Sequence, residues 1–154
     1  MPIQVFNDFL DNLKKLRPLK LCSIILLIEI IQSLIFVQLF PSVKGYQFAN
    51  DFEKFLLLLI LGPLAETYLF QQLIIRTLFN YFKISLPVSM LVSAIFFGLT
   101  HPYGLLYIAK TFISGLLFGT IYLALFDNIN KAFLWVALTH ASYNLFTICY
   151  NYSM

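Results

Sequence analysis

The sequence predicts an all-α fold, a polytopic transmembrane bundle of about five spans around a four-helix core, and three observations predict it. Hydrophobic residues make up 60% of the 154-residue chain and charged residues 11%. Mean hydropathy is +0.85, well away from that of a soluble domain. The apolar residues also fall into runs close to the roughly 20 residues that a helix needs to cross a bilayer. Prolines and short polar turns separate the runs, with no repeat, low-complexity segment or linker between them. Residues 1–154 therefore read as a single membrane domain, with a basic segment and first span in 1–50 and the core in 52–150.

The first span covers about residues 19–40. Lys14, Lys15, Arg17 and Lys20 lie at its start and no small-residue cleavage site follows, so it reads as an uncleaved anchor rather than a signal peptide. The remaining spans are expected near 52–82, 86–101, 104–126 and 132–150, the third being the shortest. Pro41, Pro87 and Pro102 stand at or near boundaries, where a missing amide does least harm. Asp127-Asn128-Ile129-Asn130-Lys131 supplies a polar turn before the last span. The basic N-terminus favours a cytoplasmic start, and Arg76 and Lys83 return to that side after two crossings, whereas Lys44 and Lys54 run against the bias. The net charge of +3 suits membrane-lipid headgroups and requires no nucleic acid. Cys22 and Cys149 stand far apart and read as small apolar filler.

Polar groups inside such helices are expensive and mark candidate sites. Three signatures carry them: Glu66-Thr67-x-x-x-Gln71, Phe97-x-x-x-His101 and His140-x-x-x-Asn144. Counted at about 1.5 Å per residue from the turn at Lys83 to Ser85, Glu66 lies roughly 26 Å up one helix and His101 roughly 25 Å up its neighbour. From the turn at Asn130, His140 and Asn144 lie about 15 Å and 21 Å deep, so the four groups share one slab. Residues four apart share a helix face, which pairs His140 with Asn144 and sets Phe97 under the His101 ring. Thr67 and Gln71 form another such pair, rotated about 100° from Glu66, in a supporting position.

A carboxylate beside an imidazole in an apolar cavity can take a proton from water and direct the nucleophile at an amide carbonyl, and Glu66 with His101 fits that need. The charge that builds on the carbonyl oxygen requires donors already in place, which His140 and Asn144 carry. Structural readings stand beside these: Glu66 bonded to a helix backbone, His101 as an interfacial cap before Pro102, and His140 with Asn144 as packing between helices. Glu29 reads as interior-facing structure, Lys110 as snorkelling or paired, and Gly115-x-x-x-Gly119 as a site of close helix approach.

The residues resemble the CAAX protease and bacteriocin-processing (CPBP, or Abi) family of intramembrane endopeptidases. Its motifs are typically Glu-Glu-x-x-x-Arg after a proline-containing run, then Phe-x-x-x-His, then His-x-x-x-Asn or Asp. Residues 62–71, 93–101 and 138–144 look like the three in order, and Gly115 to Gly119 like the glycine-containing helix between the last two. The similarity covers about residues 55–150. Thr67 and Gln71 replace the second Glu and the Arg, which suggests a neutral hydrogen-bonding pair in place of an ion pair.

The resemblance implies a catalytic core in 52–150, with Glu66 and His101 activating water and His140 and Asn144 holding the oxyanion. The expected substrate is a membrane-associated peptide, prenylated C-termini being one case, and the expected setting is a bacterial cell membrane. No cofactor is expected. The alternative is catalytic zinc on Glu66, His101 and His140, a three-ligand set with an open position. A second alternative is a non-proteolytic membrane immunity or scaffold protein acting against bacteriocins.

Overall fold

Helix ends are set by the local chemistry of the turns between apolar runs. The structure, a computed structural model, describes residues 2–43 and 48–152, with side chains for 4–43 and 48–150. Lys44, which entered the orientation argument, lies outside the described residues. Within them the chain forms α1 (Pro2–Lys14), α2 (Pro18–Leu39), α3 (Asp51–Asn80), α4 (Leu86–Leu99), α5 (Leu105–Ala124) and α6 (Ile129–Tyr152), with no strand. Pro18 and Pro87 open α2 and α4 in the first turn, where the missing amide bonds nothing. Asn50 caps α3 by accepting the Glu53 amide at 2.8 Å, and Asn128 accepts the Lys131 amide at 3.0 Å ahead of α6.

Four helices, α2, α3, α5 and α6, are long and apolar enough to cross a membrane. The third expected span is not. α4 has 14 residues and so extends about 21 Å, short of a hydrocarbon core of about 30 Å. Pro102 disfavours helical geometry at the residue before it, so α4 ends ahead of His101 and leaves that imidazole within the bundle. The basic N-terminal segment is itself a helix. α1 turns Leu10 into the core with Phe6 and Leu13 packed beside it, and keeps Lys14 and Asp11 outside as an ion pair of 3.4 Å.

Leu21, Cys22 and Ile25 of α2 meet Ile121, Tyr122 and Val136 of α5 and α6 in the centre. Gly115 lets α5 approach α4 closely, since a Cβ there would lie 3.0 Å from Ala94 Cα, and Gly119 faces the Met90 side chain. Arg76 ties the end of α3 to that of α5, donating to Tyr122 Oη at 2.8 Å and to Phe126 O at 3.0 Å. Large apolar side chains on several helices, such as Leu27, Ile31, Leu69, Leu99 and Leu138, face outward, as a lipid-covered surface requires.

Candidate active site

α3 is wound unevenly around its first motif. Leu57–Leu61 and Thr67–Ile74 are π-helical, and the five residues between them, Gly62–Glu66, are α-helical. Such turns are uncommon and concentrate at functional sites. The first has a local cause. The Gly62 amide bonds Leu57 O rather than Leu58 O, and Pro63, next in line, has no amide hydrogen to offer. Leu58 O is thereby freed, and Asn144 Nδ2 donates to it at 2.8 Å, joining α6 to α3 just ahead of Glu66. A Cβ on Gly62 would sit 2.6 Å from Leu57 O, so the turn requires glycine.

Glu66 closes the α-helical piece. Its Oε2 is buried, has no hydrogen-bond partner among the described residues and lies 3.8 Å from His140 Nε2, beyond hydrogen-bonding distance. His140 is buried and stacks on Phe118, with centroids 4.6 Å apart and planes 27° from parallel. Among the described residues, the imidazole within ion-pair reach of Glu66 is therefore that of His140, not that of His101, which the sequence reading paired with it.

The His101 ring is fixed by its own helix end. Nδ1 lies 2.8 Å from Phe97 O. Because a carbonyl only accepts, the neutral ring carries its hydrogen on Nδ1 and a lone pair on Nε2. Tyr107 stacks on one side, with centroids at 6.3 Å and 26° between planes, and Phe97 packs at 5.0 Å. Phe97 also lies 6.0 Å from the His140 ring and edge-on to Phe70 at 5.3 Å, so one buried phenyl contacts both imidazoles.

Glu66, Phe97, His101, His140 and Asn144 all line a single cavity of about 1150 Å³. Thr67 and Gln71 do not line it, although both are buried. Nor do they form the expected neutral pair: among the described residues, Thr67 Oγ1 and Gln71 Nε2 each lack a hydrogen-bond partner. Residues four apart share a face at 3.6 residues per turn, and Thr67–Ile74 is wound with the wider i to i+5 pattern instead. Among the described residues, no group of three or more His, Cys, Asp and Glu stands together in an arrangement that could hold a metal ion.

Several lining residues escaped the sequence reading. Phe118 and Tyr107 act through ring contacts that no spacing rule announces, although both lie on the glycine-containing helix. Lys110 did stand out as a charge inside a span. It is buried, lines the cavity and donates to Tyr143 Oη. Glu29 is interior, as expected: fully buried, it accepts from Ser114 Oγ at 2.9 Å.

A carboxylate, two imidazoles and a carboxamide gathered from separate helices at bilayer depth define a helical membrane protein with an internal polar site. The family model described as type II CAAX prenyl endopeptidase Rce1-like matches residues 48–146, and the chain belongs to this Rce1-like family. It is thus an intramembrane endopeptidase of the general CAAX type, carried by apolar membrane helices. Among curated proteins and among solved structures, nothing matches the chain.

Proposed function

We propose that the chain hydrolyses a peptide bond in a membrane-associated peptide, with Glu66 as the base that activates water and His140 and Asn144 as the oxyanion donors. The observation that carries this reading is the Glu66 carboxylate, which lines the cavity together with His101, His140 and Asn144 while its buried Oε2 lacks a hydrogen-bond partner among the described residues. Glu66 takes a proton from water, the hydroxyl adds to the carbonyl carbon, and the same carboxyl group returns the proton to the leaving nitrogen. The Nε2 lone pair of His101 accepts the second water hydrogen and orients the nucleophile.

The carboxylate 3.8 Å from His140 Nε2 favours the tautomer with hydrogen on that nitrogen, which makes it a donor to the developing oxyanion. Asn144 spends one amide hydrogen on Leu58 O, and that bond aims the other. Donors fixed before the reaction need no reorganisation during it, and losing one such donor costs about 10²–10³ in kcat. Prenylated C-terminal peptides are the substrates that the family description names, and the membrane-embedded cavity suits such a lipid-bearing chain.

The test is Glu66→Gln in reconstituted vesicles, with a prenylated reporter peptide and mass spectrometry of membrane-associated peptides. Removing the base while keeping the shape is expected to lower cleavage by about 10²–10⁴-fold. Undiminished biological activity in that variant would overturn proteolysis and favour a membrane immunity or scaffold role. Cleavage is also expected to survive exhaustive chelation, because no step above uses a metal. Loss of activity on chelation, with stoichiometric zinc in the purified protein, would overturn the metal-free route.

A further inference from the structure

A stripe of α2, ahead of the matched residues 48–146, reaches the wall of the cavity. Glu29, Gln32, Ser33 and Phe36 follow at the three- and four-residue steps that keep side chains on one helix face. Glu29 is fully buried and accepts from Ser114 Oγ at 2.9 Å, and Gln32 Nε2 donates to Lys110 O at 2.9 Å. Ser33 Oγ accepts from Tyr143 Oη at 3.0 Å, and Phe36 meets Tyr107 edge-on at 6.2 Å. The stripe therefore closes around one group, the buried Lys110 ammonium, which donates to Tyr143 Oη and stands 5.8 Å from the Tyr107 ring.

Lys110 and Glu29 attract each other as opposite charges in the bundle interior. Glu29 Oε1 is buried with no hydrogen-bond partner among the described residues, so Ser114 alone does not satisfy this carboxylate. A second carboxylate competes for the cation. Glu66 lines the same cavity as Lys110, whereas Glu29 does not line it. His140, beside Glu66, and Tyr143, the partner of Lys110, are three residues apart on α6 and so lie one turn from each other. Even so, among the described residues no ion pair joins Lys110 to Glu66. An ammonium bonded to Glu66 would occupy the oxygens that must take a proton from water. We infer that Glu29 is a positioning residue, which holds the Lys110 ammonium against α2 and so keeps it from pairing with Glu66. The inference rests on the proteolytic reading for its effect on cleavage but not for the pairing itself.

The experiment has a thermal arm and a cleavage arm, both on the full-length chain. With Glu29 present, Glu66→Gln is expected not to lower the thermal midpoint. In Glu29→Gln the released ammonium turns to Glu66, and adding Glu66→Gln is expected to lower the midpoint by about 3 °C or more. Lys110→Met should abolish that dependence. A midpoint that responds to Glu66→Gln equally with and without Glu29 overturns the inference. So does a Glu29→Gln chain that fails to fold, because the released ammonium then found no partner in Glu66. In the cleavage arm, a prenylated reporter peptide in vesicles is cut with Glu66 intact. Glu29→Gln is expected to lower kcat per folded chain about tenfold or more with KM unchanged, short of the loss in Glu66→Gln. Glu29→Asp, shorter but charged, should keep more activity than the isosteric Glu29→Gln, the reverse of what a space-filling role would give. Adding Lys110→Met to Glu29→Gln should restore kcat to within about threefold of the original. Unchanged cleavage in Glu29→Gln, or a loss that Lys110→Met does not relieve, overturns the positioning role and leaves proteolysis standing. Thermal coupling without cleavage by any form would sink proteolysis and leave the pairing in place.

Discussion

A buried hydroxyl without a partner costs free energy that a methyl of the same shape does not, and Thr67 Oγ1 is such a group. Glu66 Oε2 is equally buried and without a partner among the described residues, but the Glu66 side chain lines the cavity, where a substrate and a water can meet its carboxyl group, whereas Thr67 is enclosed and lines no cavity. The same deficit therefore has different meanings one residue apart. Thr67→Val removes a desolvation cost of about 1–3 kcal/mol while keeping the branched shape. The thermal midpoint of the detergent-solubilised protein is expected to hold or rise. A fall equivalent to more than about 1 kcal/mol would show that the hydroxyl is bonded after all. The sequence made Glu66, His101, His140 and Asn144 legible because ionisable and amide groups are rare in apolar helices. Their partners were not legible. Which imidazole meets Glu66 depends on where α4 ends and on the backbone carbonyl that captures His101 Nδ1.

At the scale of an element, the first π turn of α3 connects a sequence choice to the site. Gly62 and Pro63 together expose one carbonyl, and Asn144 of α6 takes it. Ala at position 62 would gain about 1 kcal/mol in helix propensity. Its Cβ would nevertheless meet a backbone oxygen at 2.6 Å, and a backbone atom yields little. Overpacking of this kind costs about 1–3 kcal/mol, so Gly62→Ala is expected to lower both stability and cleavage. Gly119→Ala is the control. Its new Cβ meets the flexible Met90 side chain, which can move aside, and the loss there should be smaller on both measures. Equal effects at the two positions would remove the special role of the turn. Hydropathy located the long helices because a bilayer imposes its thickness on them. It could not show π winding, which comes from a hydrogen-bond shift of one residue and leaves the apolar run unbroken. It also overran α4, where apolar composition continues up to a boundary set by Pro102.

For the whole molecule the open consequence is the side from which a peptide reaches Glu66. The helices α2 to α6 run in alternating directions. Arg76, bonded to the Phe126 carbonyl, places the end of α3 beside the end of α5. Lys83 follows in the turn after α3 and Lys131 stands in the first turn of α6 at that end, and Lys14, Lys15 and Arg17 precede α2, with Lys20 in its first turn, on the same side. The positive-inside bias predicts a cytoplasmic position for this end. The cavity opens toward the other end, where Pro41, Ala49 and Asn50 line its mouth between α2 and α3. Asp127 and Ala49 are both exposed and mark the two ends, and Cys22 is buried. In a Cys149→Ser background, Asp127→Cys is expected to react with a membrane-impermeant maleimide after lysis only, and Ala49→Cys in intact cells. That pattern would place the cavity mouth on the non-cytoplasmic face, so a prenylated peptide would reach the carboxylate from that leaflet. The opposite labelling would put the mouth in the cytoplasm and strand Arg76 and Lys83 on the far side. The charge bias would then have lost to the demands of substrate access, since the bundle itself fixes the mouth at the end away from Arg76.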